Sequence, residues 1–238
     1  MVPAQGSASS PTIGAQVWPA DAGDDATTVD VVFVHGLRGN PINTWSKKDG
    51  SGTSVCWPRD LLRGNLKTAR VISWGYDTDI ANVFSRASEE SLFGHAQKLL
   101  GALSRLRNEV ARPILWVGHS LGGLVIKEVI ILAASYKMTE RYADLGSMYH
   151  ATIGIIFLGT PHRGSDKESL GQIIATVAKA TLRRPNEQLL ATLASDSHVL
   201  EKQRHNFISI TKDLPVFCSH EELPMHLIGM VLPSSLPQ

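Results

Sequence analysis

Residues 113–135 read PILWVGHSLGGLVIKEVIILAAS. Ile114–Val117 is a short apolar run with β-branched and aromatic members, the composition of a buried strand. Gly118-His119-Ser120-Leu121-Gly122 follows and fits G-x-S-x-G. Beyond it Leu124, Val125, Ile126, Val129, Ile130 and Leu132 recur at helical spacing, and Lys127 and Glu128 leave one polar side. The pattern therefore sits between a strand and a helix, the context that gives it chemical meaning. Such a turn exposes the Ser120 hydroxyl. It also places the Leu121 N–H at a helix N-terminus, where a developing oxyanion is stabilised. The flanking glycines are expected to relieve crowding around the strained serine. A glycine-rich turn with a surface serine is the plainer alternative; strand, turn and helix in register favour a nucleophile.

Upstream, Val29–Val34 is an apolar run with one charge, Asp30, near its start, and reads as a central parallel strand. It ends in His35-Gly36-Leu37-Arg38-Gly39-Asn40, a loop of the kind in which α/β sheets place their ligand sites. In serine hydrolases of this architecture that loop supplies the second oxyanion donor, and Leu37 is the natural one. His35 precedes the serine, so it reads as a loop brace rather than a base. Asp77 follows the next strand, Ala69–Trp74, and also precedes the serine, which argues against a role as triad acid. Trp45 and Val55–Leu62 read as a loop with a helix starting at Pro58. Leu92, Ala96, Leu99, Leu100, Leu103 and Leu106 mark an amphipathic helix from Ser91 to Arg107.

Downstream, Ala151–Leu158 is another buried strand. Residues 166–213 break the alternation with helical spacing and suit a cap over the site. Leu214–Glu221 and His226–Val231 read as the last strands. The alternation predicts an α/β fold, a mainly parallel sheet with helices on both faces. Residues 1–28 read as a flexible lead-in with an edge strand at Gln16–Trp18, and 29–238 as the domain with its cap insert.

Composition narrows the functional classes. Of 238 residues, 43% are hydrophobic and 19% charged, enough for a sizeable core. A formal net charge of +1 with no basic stripe argues against nucleic acid as a partner. The two cysteines, Cys56 and Cys218, make no disulfide framework, which favours an intracellular setting. No apolar run is long enough to span a bilayer. The N-terminal segment lacks the basic and apolar regions of a secretory signal. No histidine spacing points to a metal, and no cofactor is expected.

VDVVFVHGLRGNPINTW, WPRDLL, VISWGYD, GHSLGGLVIK and IIFLGTPHRGS occur in this order. Together they resemble a family of serine esterases that includes the serine-active-site-containing, lipase-like proteins linked to phospholipid remodelling. GPI inositol-deacylases are more distantly similar, as are the N-terminal modules of fungal NACHT or ankyrin-repeat receptor-like proteins. The resemblance implies an α/β-hydrolase fold and esterase or lipase chemistry, with Ser120 as nucleophile. It places Cys218–Pro224 on the family's stretch ending near a glutamate, so Glu221 falls on the triad acid. A solvated charge at a strand end is the plainer reading of Glu221, and Asp166 is the runner-up acid. The family's catalytic histidine follows one further strand and loop. This sequence ends at Gln238 within that loop, and His226 matches nothing in the pattern. The expectation is a C-terminally truncated triad: a fragment, an alternative gene product, or a member without its base.

Two functions follow as expectations. One is hydrolysis of acyl esters, including lipid esters, in the cytoplasm or at the endoplasmic reticulum or mitochondrial membrane, with peripheral membrane contact. The other is a non-catalytic interaction or signalling module of a larger protein with additional C-terminal domains, since fold alone does not choose.

Overall fold

The computed structural model describes residues 13–20, 27–37, 39–77, 88–107, 112–160, 162 and 201–219. Six strands among them form one sheet: β1 (Gly14–Trp18), β2 (Val29–Val34), β5 (Ala69–Gly75), β6 (Ile114–His119), β7 (Thr152–Leu158) and β8 (Val216–Ser219). A short hairpin pairs β3 (Ser46–Lys48) with β4 (Ser54–Cys56). The sheet order is β1-β5-β2-β6-β7-β8, with β1 antiparallel to β5 and every other pairing parallel. β2 and β6 lie at the centre. Val34 is opposite Gly118, so the loops after both strands leave the same end of the sheet, side by side.

Alternation along the strands assigns each face. Val32 and Val34 join Ile72, Trp74, Trp116, Ile155 and Phe157 in one core, beneath α1 (Ser88–Arg107), α2 (Leu121–Tyr136) and α3 (Ala143–Ala151). Val31 and Phe33 face the other way with Val71, Trp45 and Cys56. Among the described residues that second face is covered by the hairpin and by a π-helical turn, Pro58–Leu62, which runs into a helical turn at Arg63–Asn65. The helix expected to start at Pro58 does start there, π-helical over Pro58–Leu62 and α-helical over Arg63–Asn65. The hairpin before it and α3 carry no strong period and went unrecognised in the sequence. Residues 201–210 are helical (α4) and place Phe207 in the first core.

Asp30, the charge near the start of β2, is fully buried. Arg70 grips it in a two-point contact at 2.7 and 3.0 Å, and Arg107 donates to it at 2.5 Å. Arg112 approaches at 3.4 Å. A buried carboxylate is tolerable only when paired and hydrogen-bonded in this way. The cluster pins the amino ends of the central strands and leaves the carboxyl ends for the site.

No helix of the described residues is long and apolar enough to cross a membrane. No group of metal-binding side chains occurs among them either.

Candidate active site

Ser120 lies between β6 and α2, at the end of a central strand and the start of a helix. Its backbone angles are φ 51° and ψ −122°, and it is the one non-glycine residue with positive φ among the described residues. That conformation costs an L-residue on the order of 1–3 kcal/mol and persists only where the surroundings impose it. Here the Ser120 N–H donates to the Leu158 carbonyl of β7 at 2.9 Å, and its own carbonyl accepts from the Gly123 N–H at 3.1 Å. The turn is therefore tied to both the neighbouring strand and the first turn of α2.

The glycines around the serine are required by close approach, but not to the serine itself as the motif suggested. A Cβ on Gly122 would sit 2.2 Å from the Val34 carbonyl oxygen. A Cβ on Gly123 would sit 2.1 Å from Oγ1 of Thr160, which is buried. The first turn of α2 is thus pressed against the end of β2 on one side and the residues after β7 on the other. Gly123 and Thr160 lie outside the five-residue motif. The Gly-Gly pair after the serine was the available sequence signal.

The loop after β2 reaches the serine. A Cβ on Gly36 would come within 2.8 Å of the Ser120 Cβ and 3.1 Å of the His119 carbonyl oxygen. Leu37 and Leu121, the residues named as oxyanion donors, follow Gly36 and Ser120 directly, and both are half-buried. Glu221, the expected triad acid, and Asp166, its runner-up, lie outside the described residues, as do His226 and most of the expected cap. Among the described residues the Ser120 hydroxyl makes no hydrogen bond to an imidazole.

His35 is fully buried and stacks on Tyr76, with ring centroids 4.6 Å apart. Its Nδ1 lies 2.9 Å from the Gly36 carbonyl oxygen, and its Nε2 accepts from the Tyr76 N–H at 3.4 Å. The amide can only donate, so Nδ1 carries the proton and donates to Gly36. Burial lowers the His35 pKa to about 4, so the ring is neutral. His119 meets the edge of Trp45 at 6.2 Å. Trp45 packs edge-on against Phe33 at 5.1 Å and against the exposed Trp57 at 6.2 Å. Edge-on aromatic contacts therefore run from His119 through the buried Trp45 to Trp57 at the surface.

On the α2 face, Lys127 is buried between the rings of Phe157 and Phe207, at 5.6 and 5.7 Å from their centroids. Burial lowers its pKa to about 8. His162 packs against Phe157 at 4.8 Å and lies 3.5 Å from the Cys218 sulfur, within the loop and strand that follow the site.

Protein SERAC1 of Danio rerio is 32% identical over 220 residues, which cover 85% of this chain and 32% of that protein. Protein SERAC1 of Bos taurus is 28% identical over 218 residues, covering 85% of this chain and 31% of that protein. The chain thus spans about a third of the length of these relatives. Among solved structures, the mature form of Bacillus licheniformis lipase BlEst2 aligns over 86% of this chain and 70% of its own, at 17% identity and a TM-score of 0.48. The model of the alpha/beta hydrolase family matches residues 31–214, from the strand that carries the Gly36 loop to the approach of β8. That match spans most of the chain, and the chain belongs to the alpha/beta hydrolase family.

Proposed function

We propose that the chain is a serine hydrolase of acyl esters, with Ser120 as nucleophile. The observation that carries this is the strained Ser120 backbone at the strand–helix turn, with the Gly36 loop pressed against it. Strain of this kind is retained where function needs it. In the proposed reaction the Ser120 Oγ attacks the acyl carbon while its proton passes to an imidazole base. The carbonyl oxygen becomes an oxyanion, held by the Leu37 and Leu121 N–H groups. The alcohol leaves with the proton. Water then cleaves the acyl-enzyme by the same route in reverse, releasing the acid and the free serine. Glu221 orients the imidazole and stabilises its charged form.

The base is a histidine from outside the described residues. His35 does not serve, because its Nδ1 donates to the Gly36 carbonyl and its Nε2 accepts from the Tyr76 N–H. The exposed Trp57, which packs on Trp45 beside His119, favours an apolar acyl chain over a polar one. Lipid esters, met at a membrane surface, are the substrate class this favours. The test is hydrolysis of p-nitrophenyl esters of increasing chain length by the chain and by Ser120→Ala. Activity that rises from acetate to octanoate and is lost in the variant supports the reading. Equal rates in both proteins oppose it.

A further inference from the structure

Tyr76 is the first residue after β5 and is buried in the core. As a packing residue it needs no hydroxyl, and a buried hydroxyl is costly unless it is bonded. Its hydroxyl has a definite destination. It donates to the His35 carbonyl oxygen at 2.8 Å. Its N–H donates to the His35 ring, and its own ring stacks on that ring. One residue therefore holds both the main chain and the side chain of His35. His35 in turn donates to the Gly36 carbonyl, which also accepts from the Gly39 N–H at 3.0 Å. Farther along the same loop, the Ser73 hydroxyl of β5 donates to the Pro41 carbonyl at 2.6 Å. The strand beside β2 thus fastens this loop at two points, and Gly36 is the part of it that touches Ser120.

We propose that Tyr76 is a positioning residue of the site: through His35 it fixes the backbone at Gly36 and Leu37, and so the aim of the Leu37 N–H at the carbonyl oxygen of a bound acyl group. Tyr76 does not touch the substrate. The proposal rests on the reading of Ser120 as nucleophile and of Leu37 as an oxyanion donor. Its physical basis is preorganisation. An oxyanion donor acts only near 2.7–3.1 Å from the developing charge. A loop free to move by about 1 Å loses much of that effect, on the order of a hundredfold in rate in the extreme. Burial raises the Tyr76 pKa, so the phenol stays protonated and remains a donor throughout the working range of pH.

The test compares the wild-type chain, Tyr76→Phe and Ser120→Ala. Tyr76→Phe keeps the ring and its stacking and removes only the hydroxyl. Hydrogen exchange of a peptide spanning residues 35–45 is read beside two reaction rates. One is the labelling of Ser120 by a fluorophosphonate; the other is the turnover of p-nitrophenyl butyrate, resolved into kcat and KM. The expected result is faster exchange confined to that peptide, labelling and kcat reduced about tenfold, and KM within about twofold. Wild-type exchange across residues 36–40 as slow as in β5 supports the same conclusion even if the variant folds poorly. Wild-type labelling with an undiminished rate in folded Tyr76→Phe overturns the positioning role and leaves the nucleophile reading intact. Absence of Ser120 labelling in the wild type overturns that reading, and the role with it, whatever the exchange shows.

Discussion

Gly36 and Ser120 are in van der Waals contact across the carboxyl ends of β2 and β6. A methyl group on the Gly36 α-carbon would stand 2.8 Å from the serine Cβ. Neighbouring strands whose following loops meet in this way make the site a property of the sheet centre. Gly36→Ala must push the loop away from the serine. The expected outcome is a loss of Ser120 labelling by a fluorophosphonate of about a hundredfold, with a cooperative unfolding transition retained. Labelling within a factor of two of wild type would show that the loop takes no part.

Gly123 and Thr160 form the matching contact on the other side of the turn. Gly123→Ala brings a Cβ within 2.1 Å of Thr160 Oγ1, 2.5 Å of its Cγ2 and 2.8 Å of its Cβ. All three atoms belong to one side chain, so Thr160→Gly removes them together. Gly123→Ala alone is expected to destabilise by about 1–3 kcal/mol, the usual cost of overpacking. The double variant should recover more than the sum of the single effects allows, a coupling that a double-mutant cycle in urea measures. Simple additivity would mean that the contact is not rigid.

Much of this was legible in the sequence. The strands at Val29–Val34, Ala69–Gly75, Ile114–His119 and Thr152–Leu158 stand where apolar runs placed them, because buried parallel strands leave a strong local signature. Ser120 stands at the predicted turn. The partners that hold the site were not legible, since they are distant in the chain. Tyr76 lies 41 residues from His35, and nothing local tells a clamp from a packing residue. Asp30 showed as a lone charge in an apolar strand, but only the fold brings Arg70 and Arg107 to it. The hairpin at Ser46–Cys56 follows from tertiary cover over Phe33 rather than from periodicity.

His35 makes stability depend on pH. Burial holds its folded pKa near 4, against 6.5 ordinarily. Between those values the unfolded chain binds a proton that the folded chain refuses. Its contribution is therefore complete above about pH 6.5 and is lost as pH falls toward 4. At about 1.4 kcal/mol per unit the loss is on the order of 3 kcal/mol. Urea unfolding at pH 7 and pH 4.5 should show the wild type losing more stability than His35→Gln. An equal loss in both would place the His35 pKa near its ordinary value.

Lys127 works in the same sense, in an alkaline window. Burial lowers its pKa from 10.5 to about 8, with the Arg204 charge adding to the effect and Cys218 opposing it, and the rings of Phe157 and Phe207 face its ammonium. The unfolded chain holds the extra proton between those values, so wild-type stability rises as pH increases from 8 to 10.5. Lys127→Met removes the buried charge and gives up the cation–π contact. The expected net gain at pH 7 is about 1–2 kcal/mol, shrinking toward pH 10. A variant less stable than wild type at pH 7 would show that the ammonium has a stronger partner than the rings.

Covalent labelling shows whether Ser120 is a nucleophile. The folded chain is incubated with a fluorophosphonate, with and without free imidazole, and the modified residue is located by mass spectrometry beside Ser120→Ala. One adduct is expected, on Ser120 and absent from the variant, with or without added imidazole. A folded chain that carries no adduct on Ser120 under either condition contradicts the nucleophile role.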